Sequence, residues 1–334
     1  MTIVLFVVSL LVIAGASELF TNAIEWAGYR LGLGAGATGS LLAAFGTSLP
    51  ELTVPVVALA THAPNANAVA MGAVIGAPML LLGLGGGITG LAVMLRRSRP
   101  EIRIAPGQGR RDLGVFLVGF SLTALAAVTS APPAIRIPLG IFLLALYCGY
   151  AVATVRSSMS RGSMPEPLHI IRWDADREAG RWAISAQLLF AIALLVGGSD
   201  LFVAAINDSA TALHINALLL AVILVPVATE LPETMNSILW IRSGNDELAF
   251  GNVAGSATFQ ACVLGFIGVT FTTWTPGIAG FISAAATLVT AVFLLALLHD
   301  GRTRGKWLAL AAVPWFAYLA IAIATGGRLA SGAG

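Results

Sequence analysis

Glu51 and Glu233 each follow a proline inside a long apolar run, in Gly46-Thr47-Ser48-Leu49-Pro50-Glu51 and Val227-Ala228-Thr229-Glu230-Leu231-Pro232-Glu233. Residues four apart share a helix face, so Thr47 can stand over Glu51 and Thr229 over Glu233. Proline lacks an N–H and disturbs the preceding turn, so Pro50 and Pro232 can release backbone carbonyls toward the carboxylates. Carbonyl, hydroxyl and carboxylate oxygens together suit a hard cation; calcium takes about six to eight of them. The candidate ligands are Glu51 and Glu233, aided by Thr47, Ser48 and Thr229. Glu230, three residues before Glu233, can share its face. Like-charge repulsion and desolvation would then call for a proton or a cation at the pair. In the other reading, Glu230 turns away to a neighbouring polar group. Neither run contains a lysine or arginine to neutralise these carboxylates.

The elements that hold these residues must be membrane helices. Of the 334 residues, 57% are hydrophobic and only 10% charged, and the mean hydropathy is +0.90. Soluble domains carry roughly 25% charged residues. The 37 glycines and 15 prolines suit close membrane-helix packing and broken helices. Met1-Thr2-Ile3-Val4-Leu5 lacks the basic stretch of a cleavable leader. Cys148 and Cys262 lie in apolar runs of different halves and read as packing residues.

Hydrophobic runs lie near residues 2–30, 37–60, 68–95, 113–131, 137–155, 182–212, 216–241, 249–272, 278–298 and 307–325. Each is close to the ~20 residues needed to cross a bilayer. The expected fold is therefore an all-α membrane protein of ten transmembrane helices. Residues 1–155 form a first five-helix repeat, 156–181 a cytoplasmic connector and 182–334 a second five-helix repeat. With both termini outside, all but two of the 18 Lys and Arg residues fall in inside loops; Arg136 and Arg328 are the exceptions. That is the positive-inside pattern. Gaining or losing one crossing would put the Arg96–Arg111 and Arg156–Arg181 loops on conflicting sides.

The two halves repeat. Glu51 and Glu233 are 182 residues apart, and at that offset Gly15, Ser17, Leu19, Phe20 and Pro50 recur as Gly197, Ser199, Leu201, Phe202 and Pro232, with Glu18 matched by Asp200. Gly72-Ala73-Val74-Ile75-Gly76 resembles Gly251-Asn252-Val253-Ala254-Gly255 at an offset of 179. Five crossings per half is odd, so the second copy enters from the opposite side. Inverted repeats place a site at their interface, on discontinuous helices. Glu18 and Asp200, after Gly/Ser pairs, are expected at helix interruptions, as caps, hinge supports or pathway residues. Gly72/Gly76 and Gly251/Gly255 are spaced for close helix packing.

Other chemistries find little footing. His62, His169, His214 and His299 sit in loops or at helix margins, away from any intramembrane Cys/His constellation. No phosphate-binding G-x-x-x-x-G-K-[ST] loop is present. The basic residues follow topology, so no nucleic-acid partner is expected, and the paired glutamates lack a supporting catalytic set. The expected partners are inorganic cations and the lipid bilayer. No protein partner is required, because one chain holds both repeats.

Gly46-Thr47-Ser48-Leu49-Pro50-Glu51 closely resembles the first alpha repeat of the cation/calcium exchanger superfamily, which includes prokaryotic sodium/calcium exchangers. Thr229-Glu230-Leu231-Pro232-Glu233 looks like the second, and Gly251-Asn252-Val253-Ala254-Gly255-Ser256 resembles the segment after it. The resemblance implies a cell-membrane antiporter, in a bacterial inner membrane, working by alternating access without a cofactor. Calcium would leave and sodium enter. It implies that Glu51 and Glu233 are the central ion-binding glutamates, that Thr47, Ser48, Thr229 and Ser256 supply oxygens, and that segments one and six slide against the core.

Several matched positions depart from the family pattern. Glu230 stands where the family has a serine, Ala77 where it has an ion-contacting serine, and Leu81 where it has Asn or Asp. Gln260, the counterpart of Leu81, replaces a frequent acid. The family's several sodium positions around one calcium are therefore not expected to survive intact. Calcium export coupled to sodium or proton entry is the leading expectation. A divalent-cation/proton antiporter and a transport-incompetent membrane ion sensor are the competing readings.

Overall fold

The computed structural model describes residues 2–31, 48–96, 99–105, 107–157, 166–170, 178–213 and 216–325. Thr47, the first part of the second apolar run and most of the connector lie outside them.

The chain folds as α1 (Thr2–Arg30), α2 (Leu49–Ala60), α3 (Ala66–Leu95), α4 (Gln108–Val128), α5 (Pro133–Ser157), α6 (Arg181–Leu213), α7 (Ala217–Thr229), α8 (Leu231–Arg242), α9 (Asp246–Phe271), α10 (Gly277–Leu297) and α11 (Gly305–Ala324). Eight of these are long and apolar enough to cross a membrane, and α2 and most of α7 are shorter apolar helices. The apolar run that reads as one seventh crossing is two helices, α7 and α8, divided at Glu230. One small departure from an all-α chain is β1 (Glu101–Arg103), paired antiparallel with β2 (Arg302–Arg304) so that Ile102 lies opposite Thr303.

Helices α3 and α9 are the axis of the fold. Their apolar windows are 89% and 78% buried, against 22% for α5. Both are interrupted by a five-residue π-helical turn, Leu81–Gly85 in α3 and Gln260–Leu264 in α9. Leu81 and Gln260 are 179 residues apart, the offset at which Gly72 matches Gly251. A π turn inserts a residue and re-aims those around it, and such turns favour functional sites.

Glycines set the closest approaches around α3. A Cβ at Gly76 would lie 2.3 Å from the Val222 carbonyl of α7, and one at Gly90 2.4 Å from the Ala309 amide of α11. Helices α1 and α6 lie against one another beside this core, sharing an apolar cluster that includes Ile13, Phe20, Val54, Leu195, Phe202 and Val225.

The interruptions expected at Gly15–Glu18 and Gly197–Asp200 are absent: α1 and α6 run unbroken through both. Where no water replaces a broken backbone hydrogen bond, the helix is the cheapest state even for glycine pairs. Gly198 serves packing instead, since a Cβ there would come within 3.0 Å of Val12 and Ile13. Glu18 and Asp200 are exposed on these continuous helices and cap no break.

Contacts between loops fall into two sets. In the arginine-rich set, Arg30 Nε donates to the Ala179 carbonyl at 2.9 Å and Trp26 Nε1 to the Glu166 carbonyl at 2.8 Å. The β1–β2 pair belongs here too. So does buried Asp246, which binds the Arg96 guanidinium, Arg99 Nη2 at 2.9 Å and the Arg103 amide at 2.8 Å. In the other set, Asn65 Nδ2 donates to Asn207 Oδ1 at 3.1 Å, the Thr273 amide to Asn67 Oδ1 at 3.0 Å and Arg136 Nη1 to the Thr272 carbonyl at 2.8 Å.

The side chains of Arg96 and Asp246 are 4% and 2% exposed, so breaking the pair strands a buried charge. Asp246→Ala is expected to cost about 3–5 kcal/mol, read as a lowered unfolding midpoint in detergent. Asp246→Asn, which keeps an acceptor for the Arg103 amide, should lose less.

Candidate cation site

Two helix starts build the site. Ser48 precedes α2, and Glu51 lies in its first turn; Glu230 precedes α8, and Glu233 lies in its first turn. Each helix has proline in its first two positions, where the missing N–H would have had no helical acceptor and the fixed φ suits the helix. Carboxylates in a first turn gain from the positive end of the helix dipole. Glu230 also closes α7, its amide donating to the Pro226 carbonyl at 2.8 Å. The carbonyl end of α7 therefore points into the same break.

Glu51, Glu230 and Glu233 are 1%, 0% and 0% exposed, and each offers an oxygen within 4.8 Å of the others. Glu51 faces both Glu230 and Thr229. On the π turn of α9, Gln260 donates from Nε2 to Glu230 Oε1 at 2.6 Å. This contact answers the question left by the sequence: Glu230 joins the acidic cluster and meets a polar neighbour as well. Its position at the break, rather than within a helix, lets it do both.

Further oxygens are buried close by in sequence. Ser48 Oγ, Ser256 Oγ and Gln260 Oε1 have no hydrogen-bond partner among the described residues, and Thr229 Oγ1 donates to the Val225 carbonyl at 3.2 Å. Ala77 and Leu81 are buried at 1% and 0% exposure. Leu81 occupies on α3 the π-turn place that Gln260 holds on α9, so the two axial helices offer unlike surfaces.

Some supporting residues were not singled out from sequence. Asn252 Nδ2 donates to the Glu233 carbonyl at 3.1 Å and to Ser237 Oγ at 3.3 Å, and Ser237 Oγ donates to the same carbonyl at 2.9 Å. They fix the backbone of Glu233. Asn252 lies in the repeated glycine segment, which was a signal for it; Ser237 shows only as a hydroxyl one turn after Glu233.

Glu18 and Asp200 stand apart from the carboxylate cluster. Glu18 lines a polar cavity of about 320 Å³ between α1, α8 and the connector, with Ser17, Thr21, Glu25, His169 and Asn236. His169 Nε2 lies 3.5 Å from Glu18 Oε1. In the other half, Ser199, the counterpart of Ser17, is buried and donates to Thr53 Oγ1 of α2 at 2.9 Å. A cavity thus lies at one junction, and a hydrogen bond bridges its sequence counterpart.

Three buried carboxylates at two helix starts, inside a bundle of apolar helices, define a multi-pass membrane transporter. The sodium/calcium exchanger protein family model matches residues 1–156 and 184–324, leaving out only the connector and the C-terminal end. The chain belongs to that family, one of transporters. It is 32% identical over 128 residues to a protein named as an antiporter, CaxA from Alkalimonas amylolytica. That match covers 37% of this chain and 39% of the relative. The fold is similar to a crystal structure of the H+/Ca2+ exchanger CAX, with a TM-score of 0.72, 17% identity, and 98% and 87% of the two chains covered. It is also similar to the sodium-calcium exchanger NCX_Mj soaked with Na+ and Sr2+, with a TM-score of 0.64, 20% identity and 96% and 97% covered.

Proposed function

We propose that the chain is a secondary antiporter that exports calcium against proton entry across a bacterial inner membrane, with no other cofactor. The observation that carries this reading is the convergence of Glu51, Glu230 and Glu233 from the starts of two helices at matching places in the repeated sequence. With a divalent cation present, their charge is largely offset and calcium's demand for oxygen ligands can be met by the carboxylates with Thr229, Ser256 and Gln260. When the cation leaves, protons are the natural replacement for so compact an anionic cluster.

Sodium coupling is the second reading, and the family match favours it. Against it stand Ala77 and Leu81, which withdraw ligands from the α3 side of the site. The same two residues motivate the sensor reading, in which an ion binds without being exchanged.

The two sets of loop contacts support ten crossings with both termini outside. Among the described residues, the loop contacts given above join loops that the arginine count assigns inside to one another, and outside loops to one another. Five crossings per half make the repeats inverted. The cavity beside Ser17 lies on the inside face, and the Ser199–Thr53 contact closes the opposite one. This supports an inward-open conformer, with Glu18 at its entrance and α1 and α6 as the moving pair.

Purified protein in vesicles loaded acid inside should take up external calcium as protons leave, in assays that scan calcium, sodium, potassium, magnesium, manganese and pH. Uptake driven by a sodium gradient alone would move the assignment to sodium coupling. Calcium binding without gradient-driven flux would leave only the sensor.

A further inference from the structure

A second open site has different chemistry. Between the C-terminal part of α3 and α8 lies a groove of about 680 Å³, walled by Ile88, Leu91, Leu95 and Ile238 and carrying Arg96 and Arg242. The two helices run alongside and are clasped at both ends of it. At one end Gly85 meets Thr234, where a Cβ would lie 3.3 Å from Thr234 Oγ1. At the other, Arg96 Nη1 donates to the Ile241 carbonyl at 3.2 Å. Between the clasps the walls are apolar and open, Leu91 being 50% and Leu95 82% exposed.

The two arginines differ in what they can offer. Arg96 is spent on Asp246 and on the Ile241 and Glu101 carbonyls. Arg242 is exposed and makes no ion pair among the described residues. It closes α8, nine residues after Glu233. At 1.5 Å per residue that is roughly 14 Å along the helix, close to half of a hydrocarbon core about 30 Å thick. With Glu233 near the midplane, the depth at which inverted-repeat transporters hold their ion site, Arg242 stands at headgroup depth on the basic face that the proposed topology gives the protein, and the apolar walls lie at acyl-chain depth.

We propose that this groove is a binding site for one anionic phospholipid, its phosphate on Arg242 and an acyl chain along Ile88, Leu91 and Ile238. A free cation at headgroup level selects an anionic over a zwitterionic headgroup, and a basic pocket between membrane helices on the cytoplasmic side is suited to that. The walls supply nothing for a soluble anion. The proposal needs the membrane placement and not the identity of the exchanged ions, so lipid retention and cation flux can fail separately.

Native mass spectrometry of the delipidated full chain tests it, with dioleoylphosphatidylglycerol and dioleoylphosphatidylcholine in competition. The wild type should retain one phosphatidylglycerol about fivefold more strongly than phosphatidylcholine, the size of effect expected of one basic residue at an anionic surface. Arg242→Gln should erase that preference, and Arg242→Lys should keep most of it. Leu91→Trp, which fills the groove, should weaken retention of both lipids, while Arg302→Gln on the exposed β2 should change neither. Equal retention of the two lipids by the wild type would overturn the proposal. So would an unchanged preference in Arg242→Gln, glycerol phosphate held as strongly as the lipid, or a dimer that excludes lipid from the groove. Should Arg242→Gln fail to fold, the wild-type competition and Arg242→Lys still decide.

Discussion

Calcium exchange by reconstituted protein is expected to fall to background, a loss of more than about 100-fold, when either Glu51 or Glu233 becomes glutamine. Loss of residues that merely orient metal ligands already costs about 10–100-fold, and these two are the candidate ligands themselves. The same substitutions should act in the opposite direction on the ion-free protein. Each buried carboxylate held near its neighbours carries a desolvation cost of several kcal/mol, and glutamine keeps the shape while removing the charge. The unfolding midpoint without calcium should therefore rise. Calcium at about 100 times its Kd should stabilise the wild type by about 2.7 kcal/mol and leave the variants unmoved. A misfolded variant would instead lose stability along with transport, so the two readouts together separate a lost ligand from a lost fold. Exchange that persisted in both variants would remove the basis of the assignment.

The parts of the site that the sequence disclosed are those carried by local chemistry. A proline followed by a glutamate in an apolar run marks a helix start, and both α2 and α8 begin there. Repetition at offsets of 182 and 179 marked Gln260 as the sequence counterpart of Leu81, and both begin a π turn. What stayed hidden depends on packing. Gly197-Gly198 reads as a break because glycine weakens helices in water, yet in a membrane the backbone keeps its hydrogen bonds and Gly198 admits Val12 and Ile13. The π turns at Leu81 and Gln260 leave no trace in composition, although they decide that one repeat offers an amide to Glu230 while the other offers a leucine. Asp246 follows the same logic. Its partners Arg96, Arg99 and Arg103 are about 150 positions away, and no local period could pair them with it.

Acidification is expected to weaken calcium binding steeply, because protons and calcium compete for the same oxygens. Each proton displaced per calcium bound changes the apparent Kd tenfold per pH unit by mass action, with affinity rising as pH rises. Glu51 and Glu230 face one another with Glu233 beside them, so between one and two protons should leave for each calcium. Between pH 8 and pH 6 the Kd should then grow by about 100-fold to 10,000-fold. Glu230→Gln separates binding from coupling. It leaves Glu51 and Glu233 to hold the cation, lowers the slope of log Kd against pH by about one, and should reduce proton-driven flux far more than calcium binding. The sign of the argument can be checked against sodium. If the slope is flat from pH 8 to 6 and Glu230→Gln still exchanges calcium under a sodium gradient, Glu230 is a fixed acceptor for Gln260, and the counter-ion is sodium.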